Sequence, residues 1–212
     1  IQTQLNLFFK KLNMKRKNLN ATRTNLNFHL DKLRVPFIKK KYNIFSKNLN
    51  PFKLENKKII VAVSGGVDSL SLLFLTICYS LKKNIKLHPI IVNHKIRPES
   101  TKEALELKKV LKKNFEINCK ILSSKNFNFK KNIQDKARDL RYDLILNECN
   151  KKKINYILLG HQKNDLIENF FIRLLRGSGL KGLVSFENMI SNHKNVKVLR
   201  PFLNFTKSDL LL

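Results

Sequence analysis

The sequence predicts an α/β fold built on a Rossmann-like parallel sheet of five strands with helices on both faces. Three observations lead there. From Lys57 onward, short apolar runs rich in Ile, Val and Leu alternate with longer segments of helical period. Those runs are apolar at nearly every residue rather than every second one, as strands covered on both faces must be. The first run then breaks into "SGG", a tight turn feeding an apolar helix, at the place where open parallel sheets hold their ligands.

Taken in order, "KKIIVAV" (57–63) is the first strand and Leu70 to Lys82 the helix that follows. "KLHPIIVN" (86–93) is the second strand. Ser100 and Glu103 have capping-box spacing and predict the start of the helix "TKEALELKKVLKKN". "FEINCKIL" (115–122) is the third strand, and Asn132 to about Lys152 is a helix with Ile133, Ala137, Leu140, Leu144 and Ile145 on one face. "INYILLG" (154–160) is the fourth strand, a helix runs from about Asn164 to Arg176, and "NVKVLR" (195–200) is the fifth strand. Thr206 and Asp209 repeat the capping-box spacing and announce a helix only three residues before the last one, so the chain is expected to be truncated relative to a longer ancestor.

Residues 1–56 stand apart as a basic Lys/Asn-rich extension, leaving 57–212 as the folded unit. The extension holds 13 Lys/Arg against 2 Asp/Glu and no Gly, and its apolar residues keep no clear period for long. The expectation is a partly helical or disordered basic arm. The whole chain of 212 residues carries +28, a field that attracts polyanions such as nucleic acid. With 26 Asn and abundant Ile and Phe, part of the lysine excess also fits codon drift in an AT-rich genome. Cys78, Cys119 and Cys149 form no CxxC pair, which points to a reducing compartment and away from a zinc site. The longest apolar runs, such as Leu70 to Cys78, are too short to cross a bilayer.

The turn carries the chemistry. In "SGGVDS" the glycines Gly65 and Gly66 let backbone N–H groups approach an anion, and the helix beyond Val67 offers its positive end. Ser64 and Ser69 add hydroxyls. Asp68 stands where a Walker A loop would lead to lysine. A carboxylate beside phosphate repels it unless a cation intervenes, so Asp68 is expected to hold Mg²⁺ against a nucleotide phosphate. The plain alternative is an ordinary turn with Asp68 favoured by the helix end.

"SGGVDS" resembles the SGGxDS signature of the PP-loop ATP pyrophosphatases, whose fold is adenine nucleotide alpha-hydrolase-like and which cleave ATP to AMP and pyrophosphate. Four further segments resemble one branch of that family, the tRNA(Ile)-lysidine synthetases: "VNHKIRPES" (92–100), "NIQDKARDLRYDLI" (132–145), "GHQKNDLIENFFIRLLRGSGLKGL" (160–183) and "VLRPFLNFTKSDL" (198–210). The resemblance implies a ligase that adenylates the wobble cytidine of the tRNA(Ile) bearing a CAU anticodon. Free L-lysine then displaces AMP to give lysidine. ATP and Mg²⁺ are the implied cofactors, a homodimer is among the expectations, and the compartment is a bacterial cytoplasm or an organelle.

The resemblance places Asp165 and Glu168 in the catalytic site with Asp68, as carboxylates for metal, for the lysine ammonium, or for its deprotonation. Their spacing alone is equally that of acids favoured in a first helical turn. It assigns His94 and His161 to the nucleotide, and Arg97, Arg138, Arg141, Arg173 and Arg176 to tRNA or phosphate. Against these stand plain readings: a loop, a structural histidine, a solvated helix face, and a helix end capped by Gly177. The sequence departs from the branch pattern at Asn164 (for Asp), Gln162 (for His), Asn169 (for Thr) and Lys95 (for Gly). Lys95 is costly if that glycine serves a positive φ. Two competing readings are another PP-loop tRNA modifier, such as a thiolase, and a non-catalytic RNA-binding relic.

Overall fold

The computed structural model describes residues 29–123, 133–175, 190–193 and 195–210. Within them, α1 is Pro36–Leu49, β1 Lys58–Val63, α2 Val67–Lys83, β2 Lys86–Asn93, α3 Ser100–Phe115, β3 Lys120–Ser123, α4 Ile133–Lys152, β4 Tyr156–Leu158, α5 Lys163–Leu175, β5 Ile190–His193, β6 Val196–Leu199 and α6 Lys207–Leu210. One sheet runs in the order β3-β2-β1-β4-β6-β5. The five expected strands are parallel neighbours, and β5 adds a sixth, antiparallel to β6, through pairs from Ile190↔Leu199 to His193↔Val196. The sheet is therefore six-stranded and mixed rather than five-stranded. The chain winds outward from β1 to β3, then crosses to the other side of β1 for β4. That reversal opens a crevice at the carboxyl ends of β1 and β4.

Each face of the sheet has its own core. On one, Ile59, Val61 and Val63 of β1 meet α2 together with Phe45 and Leu49 of α1 and Leu107 and Leu111 of α3. Helix α2 is buried along Ser69–Ser80 on all sides, and its hydroxyls are satisfied internally: Thr76 Oγ1 donates to the Leu72 carbonyl at 2.6 Å and Ser71 Oγ to that of Leu210 at 2.6 Å. Helix α1 opens on Pro36 and aligns Ile38, Tyr42, Phe45 and Leu49 in one stripe. Phe45 stacks edge-on against Tyr79 and lies beside Phe202. Burying such side chains is worth about 1.5–3 kcal/mol each. On the other face Ile60, Ile90 and Ile157 meet Ile145 and Cys149 of α4 in a smaller core.

Two local expectations are corrected. The strand expected over 115–122 begins only at Lys120, because α3 runs through Phe115 and ends on Glu116 in the left-handed region (φ 56). The Ser100/Glu103 box does not form. Ser100 Oγ instead accepts from the Arg97 N–H at 3.2 Å, and Glu103 pairs with the Arg97 guanidinium at 2.9 Å. The second box does form: the Thr206 N–H donates to Asp209 Oδ2 at 2.9 Å and the Asp209 N–H to Thr206 Oγ1 at 3.3 Å. The expected helix C-cap at Gly177 lies outside the described residues.

Candidate nucleotide site

The turn after β1 is built from its own side chains. Gly65 takes φ 84, which a side chain would strain, and Gly66 caps α2 in extended conformation. Ser69 locks the turn from within the helix: its Oγ donates to the Gly66 carbonyl at 2.8 Å and accepts the Ser64 N–H at 3.1 Å. Gly160, just past β4, packs on the same spot. A Cβ there would lie 3.3 Å from the Asp68 carbonyl oxygen, so any side chain at this position would require the start of α2 to give by a few tenths of an ångström.

A cavity of about 650 Å³ opens at this crevice, a volume suited to a small-molecule ligand. Ser64, Gly66, Asp68, Ser69, His94, Arg97, Arg138, Arg141, His161 and Asp165 line it. Segments separated by a hundred residues thus converge as the sequence motifs imply. Gly65 shapes the turn beneath, and Val67 packs against the core. Glu168 is exposed, one turn beyond Asp165 on α5, and does not line the cavity. Arg173 lies on α5, and Arg176 lies outside the described residues.

The cavity has two electrostatic sides. On one, burial and the nearby Asp165 carboxylate hold the Asp68 carboxyl above the usual range, and Lys207 opposes them. Asp68 Oδ1 is buried without a hydrogen-bond partner. Asp165 accepts the Gln162 N–H at 2.8 Å while Gln162 Oε1 accepts that of Asn164 at 3.0 Å, so Gln162 and Asp165 also cap α5. The helix-end reading of Asp165 and its place in the cavity hold together.

On the other side two histidines are kept neutral by burial and, after it, by neighbouring arginines. His94 is pushed down to about 4, by burial first and then by Arg141, whose Nε donates to His94 Nε2 at 3.3 Å. With Nε2 accepting, the ring proton sits on Nδ1, and that atom is buried without a partner. His161 is likewise pushed down to about 4, by burial, then Arg200, Arg138 and Arg141, and its Nδ1 accepts from Arg200 Nε at 3.3 Å. Arg200, buried at the end of β6, was not among the residues singled out above, nor was Gly160. The available signal was the same for both: a residue able to meet a ligand or a close backbone, directly after a strand.

Lys95 does adopt a positive φ of 52. Asn93 holds it there, accepting the Lys95 N–H on Oδ1 at 3.0 Å and donating from Nδ2 to Thr101 Oγ1 at 2.9 Å.

A glycine turn feeding a helix at the switch point of a parallel sheet, with a partnerless carboxylate inside it, defines a nucleotide-binding α/β domain. Residues 12–212 match the PP-loop domain family, and the chain belongs to it. Its sequence is similar to tRNA(Ile)-lysidine synthases from Orientia tsutsugamushi (40% identical, covering 74% of this chain and 35% of that one), Rickettsia prowazekii (37%; 80% and 39%) and Wolbachia pipientis wMel (38%; 79% and 39%). The chain thus spans little more than a third of the length of these relatives. Among solved structures, a U34-tRNA thiolase from Methanococcus maripaludis has the same fold, with a TM-score of 0.70 at 23% identity over 82% of this chain and 61% of that one. An FMN adenylyltransferase from Candida glabrata superposes less closely, at a TM-score of 0.51 and 12% identity over 99% of this chain and 62% of that one.

Proposed function

We propose that the chain is the ATP-using domain of a tRNA(Ile)-lysidine synthase, activating the wobble cytidine of a CAU-anticodon tRNA and joining lysine to it. The observation that carries this reading is Asp68, buried and partnerless at one oxygen inside a phosphate turn. It is supported by the similarity to lysidine synthases over about three quarters of the chain.

Mg²⁺ fits the donor set. Asp68 Oδ1 lacks a partner, and a dication would relieve the mutual repulsion of Asp68 and Asp165. Among the described residues no cluster of three or more His, Cys, Asp or Glu exists to bind a metal unaided, so Asp68 and Asp165 would hold the ion only together with the nucleotide. When bound, the ion neutralises the pyrophosphate that leaves. The turn itself presents backbone N–H groups and the positive end of α2 to the phosphates. His94, neutral and with its proton on Nδ1, donates without adding charge. Arg138 and Arg141, which line the cavity, with Arg200 buried behind them, offset charge on the adenylyl group passed from ATP to cytidine O2 as pyrophosphate leaves. Lysine then enters beside Asp165, which lines the cavity and holds its ammonium and draws off a proton, with the exposed Glu168 one turn further along α5 adding negative charge at the approach. Its ε-nitrogen bonds to C2 as the C2–O bond breaks and AMP departs.

The cysteines do not support the thiolase reading. Cys78, Cys119 and Cys149 are all buried, and burial pushes each thiol up to about 12, far from a reactive thiolate.

Incubating the chain with labelled lysine, ATP and the CAU-anticodon tRNA should give labelled tRNA, with AMP and pyrophosphate as products. Absence of label while an authentic lysidine synthase labels the same tRNA, or release of ADP, refutes the reading.

A further inference from the structure

The amino-terminal edge of the sheet, opposite the cavity, holds a second charged cluster that the nucleotide site does not use. Lys58 of β1 and Lys86 of β2 are direct partners in the parallel register, so their side chains leave the same face side by side. Two residues along, His88 points to that face. Lys120 of β3 sits opposite Ile90 and so belongs to it as well. Helix α4, which covers this face, brings Lys152 to the same place, and after burial it is Lys86, Lys152 and Lys58 that favour the neutral form of His88. All four lysines are exposed. Glu148 is the one acid among the charges acting on His88, and it is bound to Lys120 at 2.6 Å. Among the described residues Lys58, Lys86 and Lys152 make no ion pair.

Like charges directly opposite in a sheet destabilise it, by up to about 1 kcal/mol per pair. A drift toward lysine codons scatters lysines over a surface. It does not by itself align Lys58 with Lys86 and bring Lys152 to the same face, with the one acid that acts on His88 already bound to Lys120. We propose that this edge is a second docking surface for an RNA phosphate backbone, remote from the reacting base. Strand β2 runs from Lys86 at this edge to Asn93 at the cavity, eight residues or roughly 23 Å at the ordinary rise per residue. A nucleic acid stem engaging both ends would therefore lie along the body of the domain. The +28 balance of the whole chain makes a polyanion the complementary partner. The inference rests on the RNA-modifying reading above.

The test is the salt dependence of tRNA binding by the full chain, wild type against Lys58→Gln/Lys86→Gln/Lys152→Gln, with the corresponding triple arginine variant as control. Loss of three phosphate contacts should lower the slope of log K against log salt by about 2–3, while the arginine variant keeps it. ATP affinity, read by equilibrium dialysis, should not change. Removing three mutually repelling charges should raise the melting temperature, which guards against misfolding. An unchanged slope in the glutamine variant overturns the proposal. So does a variant that loses binding to phosphatidylserine vesicles but not to tRNA, since the surface then serves a membrane. Failure of the wild-type chain to bind tRNA at all would instead remove the functional reading beneath it.

Discussion

The two ends of the same strands are polar in different ways. At the carboxyl end three charged groups are each fitted to a neutral partner, Arg141 to His94, Arg200 to His161 and Asp165 to the Gln162 N–H, and Asp68 Oδ1 is left without one. At the amino end Lys58 and Lys86 stand abreast, and of the four lysines grouped around His88 only Lys120 has an acid among the described residues. The first end is made of directions and protonation states, and losing one member there disables the rest. The second is a density of charge, where each member counts alike. The contrast teaches that a basic composition can conceal a site whose function depends on a few groups being neutral or anionic.

The sharpest way to break the contrast is Asp68→Asn. Turnover should fall by more than ~10²-fold, since even outer-shell partners of a metal are worth about 10–100-fold. Stability should hold or rise. The carboxyl of Asp68 is raised above its unfolded value, so the folded state binds its proton more tightly and loses stability as pH climbs through that range. The neutral amide removes that penalty. A variant that is inactive because its melting temperature has dropped would show that Asp68 serves the fold instead.

The next effect is on pH. His94 and His161 are both pushed down to about 4 from 6.5, so between those values the unfolded chain takes up protons that the folded one refuses. Stability should therefore decline steadily as pH falls from about 6.5 to 4. His94→Gln/His161→Gln should flatten that limb in melting curves recorded from pH 4.5 to 7.5. The lysine edge holds a third such histidine, His88, kept low by burial first and then by Lys86, Lys152 and Lys58, so changing those lysines should relax only His88's share of the limb and leave that of His94 and His161 in place. A limb equally steep without the two histidines would mean they are not held neutral.

What the sequence made legible divides along the same line. The five parallel strands could be read because burial on both faces forces continuous apolar runs. β5 could not, since "ISNH" is short and half polar and exists only by pairing with β6. The capping residues show how spacing underdetermines outcome. Thr206 and Asp209 close their box, whereas Arg97 draws both Ser100 and Glu103 away from theirs. In the site, the turn from Ser64 to Ser69 was legible because its chemistry is local. Arg200 and Gly160 were not, because each acts through a segment far away in the chain, on His161 and on Asp68. The lysine pair of β1 and β2 was visible only as composition until the register placed its members side by side.

The smallest expected effect lies at the loop that carries His94 and tests whether the fitted end tolerates a substituted part. Lys95 occupies the left-handed region, which costs a side chain roughly 1–2 kcal/mol relative to glycine. Asn93 offsets this by accepting the Lys95 N–H and anchoring itself to Thr101. Asn93→Ala should therefore lose about 1–2 kcal/mol of stability, the worth of a buried pair of hydrogen bonds, and raise KM for ATP more than it lowers kcat. Lys95→Gly alone should change stability little, because the relief of strain is set against the entropy glycine loses on folding. In the Asn93→Ala background the same change should restore part of the ATP affinity, because glycine no longer needs the asparagine to hold the turn. If the double variant binds ATP no better than Asn93→Ala alone, the asparagine acts through Thr101 and α3 and not through the backbone beside His94.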